Sequence, residues 1–243
     1  MHPAPAFLEE DEAKLLGHLA AFPFATLAAA PAGRPLVAHA PLVVRRLAQG
    51  LALDLHLSRN NALASAFAEG FRAVAVSLAA EAYISPDWYE SAGQVPSWNY
   101  VSVEAEGPVR MLDEAELVAL LDDLSAQEEA RLAPKPPWTR GKMGAERFEA
   151  MLRGIVGGRL MVERLQGTFK LSQNKGEADQ AGVIGGWAKT IRSPGAWPPR
   201  FRREAEPQAN RASQNRFSAR GRCSVSLATI PARAIWKSWS KSP

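Results

Sequence analysis

Two residue types that build covalent or metal-bound frameworks are scarce in this sequence. It contains one cysteine, Cys223, and four histidines, His2, His18, His39 and His56. A single cysteine excludes an internal disulfide and a zinc site made of several thiolates. The histidines lie in four separate segments without an H-E-x-x-H motif or a neighbouring carboxylate cluster, so we predict no metal site. A pair of His39 and His56 on neighbouring strands is the alternative that spacing leaves open.

The sequence also lacks long apolar runs and the best-known catalytic signatures. No stretch of 18 apolar residues is present, so we predict no membrane partner. The start, MHPAPAFLEEDEAK, has neither a basic beginning nor an apolar stretch, which predicts a cytoplasmic protein without an export signal. The G-x-G-x-x-G, G-x-x-x-x-G-K-[ST] and G-x-S-x-G motifs are absent as well.

The positive charge is confined to one end of the chain. Residues 188–243 hold 12 Lys/Arg and 2 Asp/Glu, whereas residues 1–187 hold 17 Lys/Arg and 23 Asp/Glu. The basic end lacks periodicity and is rich in Arg, Ser and Pro, which is typical of disorder. We therefore predict a folded domain over 1–186 and a disordered basic tail over 187–243. No helix-turn-helix with a basic recognition helix stands out in the acidic part, so binding to DNA is left open without a motif.

Short alternating segments dominate the first part of the chain. Strands are predicted in FATLAAA, PLVAHAPLVV, LALDLHLS, RAVAVSLA, YVSVEAEG and RLMVERLQGTFKL, the last forming one or two strands. Helices are predicted in LEEDEAKLLGHLAAF, after the capping-box pair Asp113 and Glu116, around Phe148 to Ile155, and in GEADQAGVIGGW. Many strands with few peripheral helices predict an α+β barrel or sandwich.

The stretch YISPDWYESAGQVPSWNY, residues 83–100, has more aromatic surface than an irregular segment normally carries. Its five rings belong to Tyr83, Trp88, Tyr89, Trp98 and Tyr100. Because exposed rings in a loop would form an apolar patch, they either pack on a core or cover a flat ligand.

Two other segments have the chemistry to bind an anion. Arg59 precedes Asn60 and Asn61, either of which can cap a predicted helix whose dipole would favour a phosphate. The segment FKLSQNKGE places cations and amides between a strand and a helix. Each segment alone is better explained as a polar surface loop. Together with the aromatic stretch they predict a site for a flavin or another nucleotide-like ligand.

At this point the motifs resemble a known family. AYISPDWY, VPSWNYVSVEAEG and KLSQNK, with FPFATL, AHAPLVV, LHLSRNN, MLRGIVGG and ADQAGVIGG, resemble in order the PaiB-type FMN-binding negative transcriptional regulators. These belong to the FMN-binding split-barrel group that also contains pyridoxamine phosphate oxidase-like enzymes. The resemblance covers residues 1–186 and implies a six-stranded, mainly antiparallel split β-barrel with peripheral helices. It also implies a homodimer with FMN at the subunit interface.

The resemblance implies roles for the residues that match its motifs. Arg59 and Lys170 are expected to neutralise the phosphate, Asn99, Gln173 and Asn174 to serve polar edges, and Trp88 or Trp98 to cover the ring. Packing of the tryptophans on the barrel or across the dimer is the alternative. The other matched residues are Ser58, Asn60, Tyr83, Tyr100 and Ser172. Ser58 stands where alanine is usual, and NNALAS replaces the common N-P-x-W, so the start of the predicted helix departs from the pattern.

The resemblance favours a regulator of transcription that binds FMN as a sensing or structural ligand. A flavin-dependent oxidoreductase that uses FMN with a nicotinamide or small substrate is the alternative, although no side chain stands out as a general acid or base. The family pattern ends at Gly186. Codons chosen for the following segment also permit a family-like ending in another frame, so a frameshift and a diverged extension are both hypotheses for residues 187–243. A functional basic arm would instead predict salt-dependent nucleic-acid binding that is lost when 188–243 are deleted.

Overall fold

The computed structural model describes residues 4–192, except for the side chains of residues 80 and 189–192. Within this range four α-helices form: α1 (Glu12–Ala21), α2 (Glu114–Ala130), α3 (Ala145–Leu152) and α4 (Glu177–Arg192). Nine strands form in the same range: β1 (Leu8–Glu9), β2 (Phe24–Ala29), β3 (Leu36–Pro41), β4 (Val43–Leu47), β5 (Gly50–Ser58), β6 (Phe71–Ile84), β7 (Ser97–Met111), β8 (Ile155–Met161) and β9 (Arg164–Lys170).

The strands form one antiparallel sheet in the order β3-β2-β6-β7-β8-β5-β4, with β9 pairing β7 and β1. The prediction of an α+β fold with a mainly antiparallel sheet is confirmed. The prediction of a six-stranded barrel is wrong in strand number, and the sheet of the described residues is not closed. One reason is the segment PLVAHAPLVV, for which the sequence predicts a single strand. It forms β3 and β4 because Leu42, whose N–H donates to Pro23 O, separates them.

The long strand β7 divides the sheet between two partners on the same edge. Its residues 100–106 pair with β9, and its residues 109–111 pair with β8. Gly107 lies between the two, where an added Cβ would come within 1.8 Å of Met161 O. The chain leaving β8 crosses here, and Glu163 N donates to Glu106 O at 2.9 Å. A side chain at residue 107 would therefore block the turn that joins β8 to β9.

Two apolar layers hold the helices to the sheet. Helix α1 buries Leu15 and Leu19, and α2 packs Leu117 and Leu120 with the apolar residues Val43, Leu112 and Leu152. The capping box that begins α2 is confirmed, since Asp113 Oδ1 accepts from Glu116 N and Asp113 N donates to Glu116 Oε2. Helix α4 continues through residues 187–192, which the sequence predicts as the start of the tail, while residues 193–243 lie outside the described range.

The helix predicted after Arg59 does not form. Residues 59–70 make turns and a 3-10 helix at Ala64–Phe67, and Asn61 Oδ1 accepts from Leu63 N at 2.9 Å. Leu63 and Phe67 are both buried, and the Phe67 ring lies where a Cβ at residue 158 would be. The backbone of this segment is therefore turns and one short 3-10 helix, with both apolar side chains turned inward. The prediction of an α-helix dipole beside Arg59 is therefore wrong.

Candidate functional site

The aromatic stretch contains a surface-exposed pair of rings at the ends of β6 and β7. Tyr83 pairs with Trp98 across the two strands, and the ring centroids lie 6.1 Å apart with the planes at 75°. Tyr83 remains 47% exposed and Trp98 50% exposed. Edge-to-face packing stabilises this pair without covering it, so a broad aromatic surface faces outward. We refer to Tyr83 and Trp98 below as the aromatic pair.

A cation lies on the same face of the sheet. Tyr100 pairs with Lys170 of β9, and Lys170 Nζ donates to Ser97 Oγ at 2.5 Å. Directly paired residues and alternate residues of a strand share one face. The register therefore assigns Tyr83, Trp98, Tyr100 and Lys170 to one face at this end of the sheet. The Lys170 ammonium group itself reaches the Ser97 hydroxyl and lies 5.9 Å from the centroid of the Phe7 ring.

The opposite face at this end is closed by Asn99. Its side chain is buried, and its Nδ2 donates to Ser172 Oγ at 2.9 Å. Ser172 is also buried and has a left-handed backbone with φ 63°. Such a conformation is strained for a residue with a Cβ, so the Asn99 amide holds the loop after β9 in place.

Gln173 and Asn174 of this loop differ in their bonding. The Gln173 amide is used within the fold, since it donates to Ala6 O and Phe169 O and accepts from Leu171 N. Asn174 is exposed, and its side chain forms no hydrogen bond with the residues that the structure describes. Asn174 is thus the amide of this motif that can reach a ligand.

Trp88 and Trp98 have different surroundings. Trp88 ends a 3-10 turn, Pro86–Trp88, and its ring and carbonyl lie against α4 where Gly182 and Gly186 have no side chains. Trp98 lies on the strand with half its surface exposed. The geometry favours packing for Trp88 and a ligand-facing role for Trp98.

The second group of predicted residues lies elsewhere in the chain. Ser58 ends β5 opposite Ile155, Arg59 Nε donates to Arg153 O at 2.9 Å, and Asn60 N donates to Ser58 Oγ. This group lies beyond the Met111 end of β7, whereas Lys170 lies at the Tyr100 end. A straight strand of that length spans on the order of 30 Å. Within one chain, the register thus aligns the Arg59 group and the aromatic pair with opposite ends of β7.

A network of charges, which we did not predict, occupies the Arg59 end of the sheet. Asp54 is fully buried and accepts from Arg159 Nε at 2.6 Å, Arg159 Nη2 at 2.8 Å and Arg45 Nε at 2.9 Å. Glu116 binds Arg110 and Arg159. Hydrogen bonding from Arg110, opposed by burial, lowers the pKa of Glu116 to about 2. Asp54 and Glu116 give no pattern in sequence because their partners lie up to 105 residues away.

His18, His39 and His56, the histidines that the structure describes, do not form a joint site. His39 Nδ1 lies 3.1 Å from Thr26 Oγ1, and the Nδ1 atoms of His18 and His56 are buried without a hydrogen-bond partner among the described residues. Burial lowers the pKa of both His18 and His56. Asp54, which shares a strand face with His56, binds the arginines instead. No cluster suited to a metal ion occurs within residues 4–192.

A last residue that the sequence did not single out is Asp179. It is buried in the first turn of α4 and accepts hydrogen bonds from Glu90 and Ser91. These bonds, with that from the Ser91 hydroxyl, lower the pKa of Asp179.

Across the described helices, none has the length and apolarity needed to cross a membrane.

The chain is similar in sequence to a family of FMN-binding domains and to proteins from bacteria and fungi. Residues 1–164 match the family described as "Putative FMN-binding domain". The protease synthase and sporulation protein PAI 2 of Bacillus subtilis is 31% identical over 161 residues, which are 66% of this chain and 76% of that protein. An uncharacterised protein of Emericella nidulans is 30% identical over 118 residues, 43% of this chain and 47% of the fungal protein, so the chain spans about half of that relative.

Two solved structures share the fold at low sequence identity. The FAD and heme binding protein from Mycobacterium smegmatis superposes with a TM-score of 0.50 at 19% identity, over 72% of this chain and 78% of that chain. The flavocytochrome Anf3 from Azotobacter vinelandii also gives 0.50, at 17% identity, over 74% and 78%. At these identities the likeness concerns the fold.

Proposed function

The chain belongs to the FMN-binding domain family, and on that premise we propose that it is a negative regulator of transcription with FMN as its sensing or structural ligand. The observation that carries the flavin site is the exposed aromatic pair beside Lys170. The relative from Bacillus subtilis, named protease synthase and sporulation protein PAI 2, is 31% identical over 161 residues, and most of the motifs that resemble the negative regulators lie within the family match at residues 1–164.

The residues on this face suit the chemistry of FMN. A flavin has a flat ring system with polar edges and a phosphate that carries negative charge. Trp98 and Tyr83 offer exposed rings for the flat part, and the free amide of Asn174 offers a donor and an acceptor for an edge. Lys170 supplies a cation for the phosphate. Asn99 and Gln173 act behind this face, by holding the loop that carries Asn174.

Arg59, Ser58 and Asn60 enter this proposal through a second subunit. Because they lie at the far end of β7, they complete the site only when a two-fold axis brings that end beside the aromatic pair of a partner. A homodimer with two equivalent sites is therefore part of the proposal. Mixing an Arg59→Ala chain with a Trp98→Ala chain should then restore one intact site in each heterodimer.

The phosphate assignment is tested by comparing FMN with riboflavin, which has the same ring without the phosphate. Lys170→Ala and Arg59→Ala should each weaken FMN binding roughly tenfold, because each removes a charge-assisted bond, and should leave riboflavin binding unchanged. Arg34→Ala, which removes an exposed arginine that belongs to neither group, is the matched control. Fluorescence titration measures both affinities. Equal weakening of riboflavin and FMN would contradict a phosphate role.

Regulation and catalysis are separated by two measurements on the FMN-loaded chain. A regulator should oxidise NAD(P)H no faster than free FMN does, and its removal from the cell should raise a set of transcripts that the unaltered gene lowers again. The Trp98→Ala gene should fail to lower them. Turnover of NAD(P)H well above that of free flavin would instead identify a flavin-dependent oxidoreductase.

A further inference from the structure

The residues between the two strands of the aromatic pair are attached to the last helix. Residues 85–96, called here the aromatic segment, leave β6 just after Tyr83 and enter β7 just before Trp98. Pro86, Pro96 and Gly93, which has φ 77°, keep the segment irregular. Because the aromatic segment connects the strand of Tyr83 to the strand of Trp98, its position influences the position of the aromatic pair. The contacts that hold the aromatic segment therefore bear on the proposed site.

Asp179 binds the middle of the aromatic segment. Its Oδ1 accepts from Glu90 N and Ser91 N, both at 2.9 Å, and its Oδ2 accepts from Ser91 Oγ at 2.6 Å. Only 7% of Asp179 is exposed. A buried carboxylate with three donors from one loop holds that loop strongly, because losing any of them would leave charge unpaired.

The same side of α4 provides room for Trp88. Gly182 and Gly186 follow Asp179 at spacings of three and seven residues, which places all three on one helix face. A Cβ at Gly182 would lie 2.0 Å from Trp88 O, and one at Gly186 would lie 2.4 Å from Trp88 Cγ. A Cβ at Gly185 would meet nothing within 4 Å. The close approach thus requires glycine on the docking face and nowhere else in this turn.

A second tie joins the aromatic segment to the loop before α4. Lys175 Nζ donates to Gln94 Oε1 at 2.7 Å and lies 5.4 Å from the centroid of the Tyr89 ring. Lys175 follows Asn174, the exposed amide of the proposed site. The aromatic segment and the loop of Asn174 are therefore held by one assembly.

We propose that Asp179 is a positioning residue of the flavin site, and that the face of α4 formed by Asp179, Gly182 and Gly186 preorganises the aromatic pair through the aromatic segment. The inference rests on the proposed function for the identity of the ligand. In the docked form, the aromatic segment lies against α4. If the docked form becomes the minor form, the apparent affinity for FMN falls in proportion to the population of the docked form. By linkage, a ligand that needs the docked form restores it at saturation.

The sharpest test compares Gly182→Ala with Gly185→Ala. Both make the same chemical change one turn apart, but only the first drives a methyl group into Trp88 O. Gly182→Ala should weaken FMN binding about tenfold, the effect expected when the docked form falls to a tenth of the population. It should also speed amide hydrogen exchange in residues 85–96 and slow it again at saturating FMN. Gly185→Ala should match the unaltered chain in both measurements.

Substitutions at Asp179 provide the second arm. Asp179→Ala should resemble Gly182→Ala, whereas Asp179→Asn should recover most of the affinity because its Oδ1 still accepts from the two backbone N–H groups. Glu177→Gln, which removes an exposed carboxylate two residues earlier, is the control for charge in the first turn. Circular dichroism of the bound flavin should change with Asp179→Ala and not with Glu177→Gln.

The two ideas fail separately. Equal hydrogen exchange of residues 85–96 in Gly182→Ala and Gly185→Ala would overturn the docking, whatever the flavin result. Faster exchange in Gly182→Ala with unchanged FMN affinity would overturn the positioning role and leave the flavin site intact. Absence of FMN binding by the unaltered chain would overturn the proposed function itself, and with it the ligand of this inference.

Discussion

The two ends of β7 differ in whether their polar and aromatic side chains are paired within the fold or exposed. Near Met111 the charges neutralise one another: Asp54 binds Arg45 and Arg159, and Glu116 binds Arg110 and Arg159. Near Tyr100 the rings of Tyr83 and Trp98 stay exposed, and the Asn174 amide stays free among the described residues. At the first end the charged groups bind one another and stabilise the fold, whereas the second end retains exposed groups that a ligand can contact.

This contrast shows why charge alone is a poor guide to function. Arg159 is a strong anion-binding candidate by residue type, but only 11% of its side chain is exposed and both of its carboxylate partners are in place. Among the described residues Lys170 forms no ion pair: its ammonium group donates to the neutral Ser97 hydroxyl and lies 5.9 Å from the centroid of the Phe7 ring. A cation without a carboxylate, set beside exposed rings, is the better indication of a site.

The largest expected effect is a loss of stability when the charge network near Met111 is disrupted. Asp54→Ala should lower the free energy of unfolding by about 3–5 kcal/mol, because it leaves two arginines without their buried partner. Urea unfolding followed by fluorescence measures this change. Asp122→Ala removes a carboxylate from an exposed pair with Arg140 and should cost at most about 1 kcal/mol. Equal losses in the two variants would contradict the contrast between the buried network and the surface.

The next effect concerns the exposed end. Trp98→Ala should weaken FMN binding by about 1–3 kcal/mol, the usual contribution of an aromatic ring stacked on a flat base, with little change in urea stability because the ring is half exposed. Trp138→Ala, at another exposed tryptophan, is the matched control and should bind FMN normally. A large loss of stability with Trp98→Ala would mean that the ring serves the fold, as it does for Trp88.

The smallest effect is a pH dependence of the charged end. The pKa of Glu116 in the folded chain is about 2, below its usual 4.5. A lowered pKa contributes stability that is present above about pH 4.5 and is lost as the pH falls toward 2. After allowance for solvent screening of a partly exposed carboxylate, the contribution is about 1–2 kcal/mol. Glu116→Gln should reduce the dependence of the urea unfolding midpoint on pH between about 2 and 4.5. An unchanged dependence on pH would show that the ion pairs of Glu116 contribute nothing to stability.

Much of the fold could be predicted because its signals are local. The alternation in LALDLHLS predicts β5, and the Asp113–Glu116 pair predicts the start of α2, since each depends on neighbours within a few residues. The helix predicted after Arg59 does not form, and the segment packs against a strand that is distant in sequence. Phe67 packs where Gly158 leaves room, and nothing near residue 67 reveals this.

The candidate site was predictable as a set of residue types but not as an arrangement. The W-N-Y and K-L-S-Q-N motifs identify Trp98, Asn99 and Lys170, and these do lie on paired strands. Their separate roles depend on which face each side chain takes. Asn99 points to the buried side and supports Ser172, whereas Trp98, one residue earlier, faces outward.

The sequence by itself determined most of the strands and helices, where the folded domain carries aromatic and cationic residues, and which family it resembles. These properties depend on periodicity and on short motifs, which act over a few residues. Only the tertiary structure decided that the Asp54 charges belong to the fold, that Trp88 packs on α4 and that Asp179 holds the aromatic segment. Those contacts join residues about 90 to 105 positions apart, and they form only when the sheet brings distant strands and the last helix together.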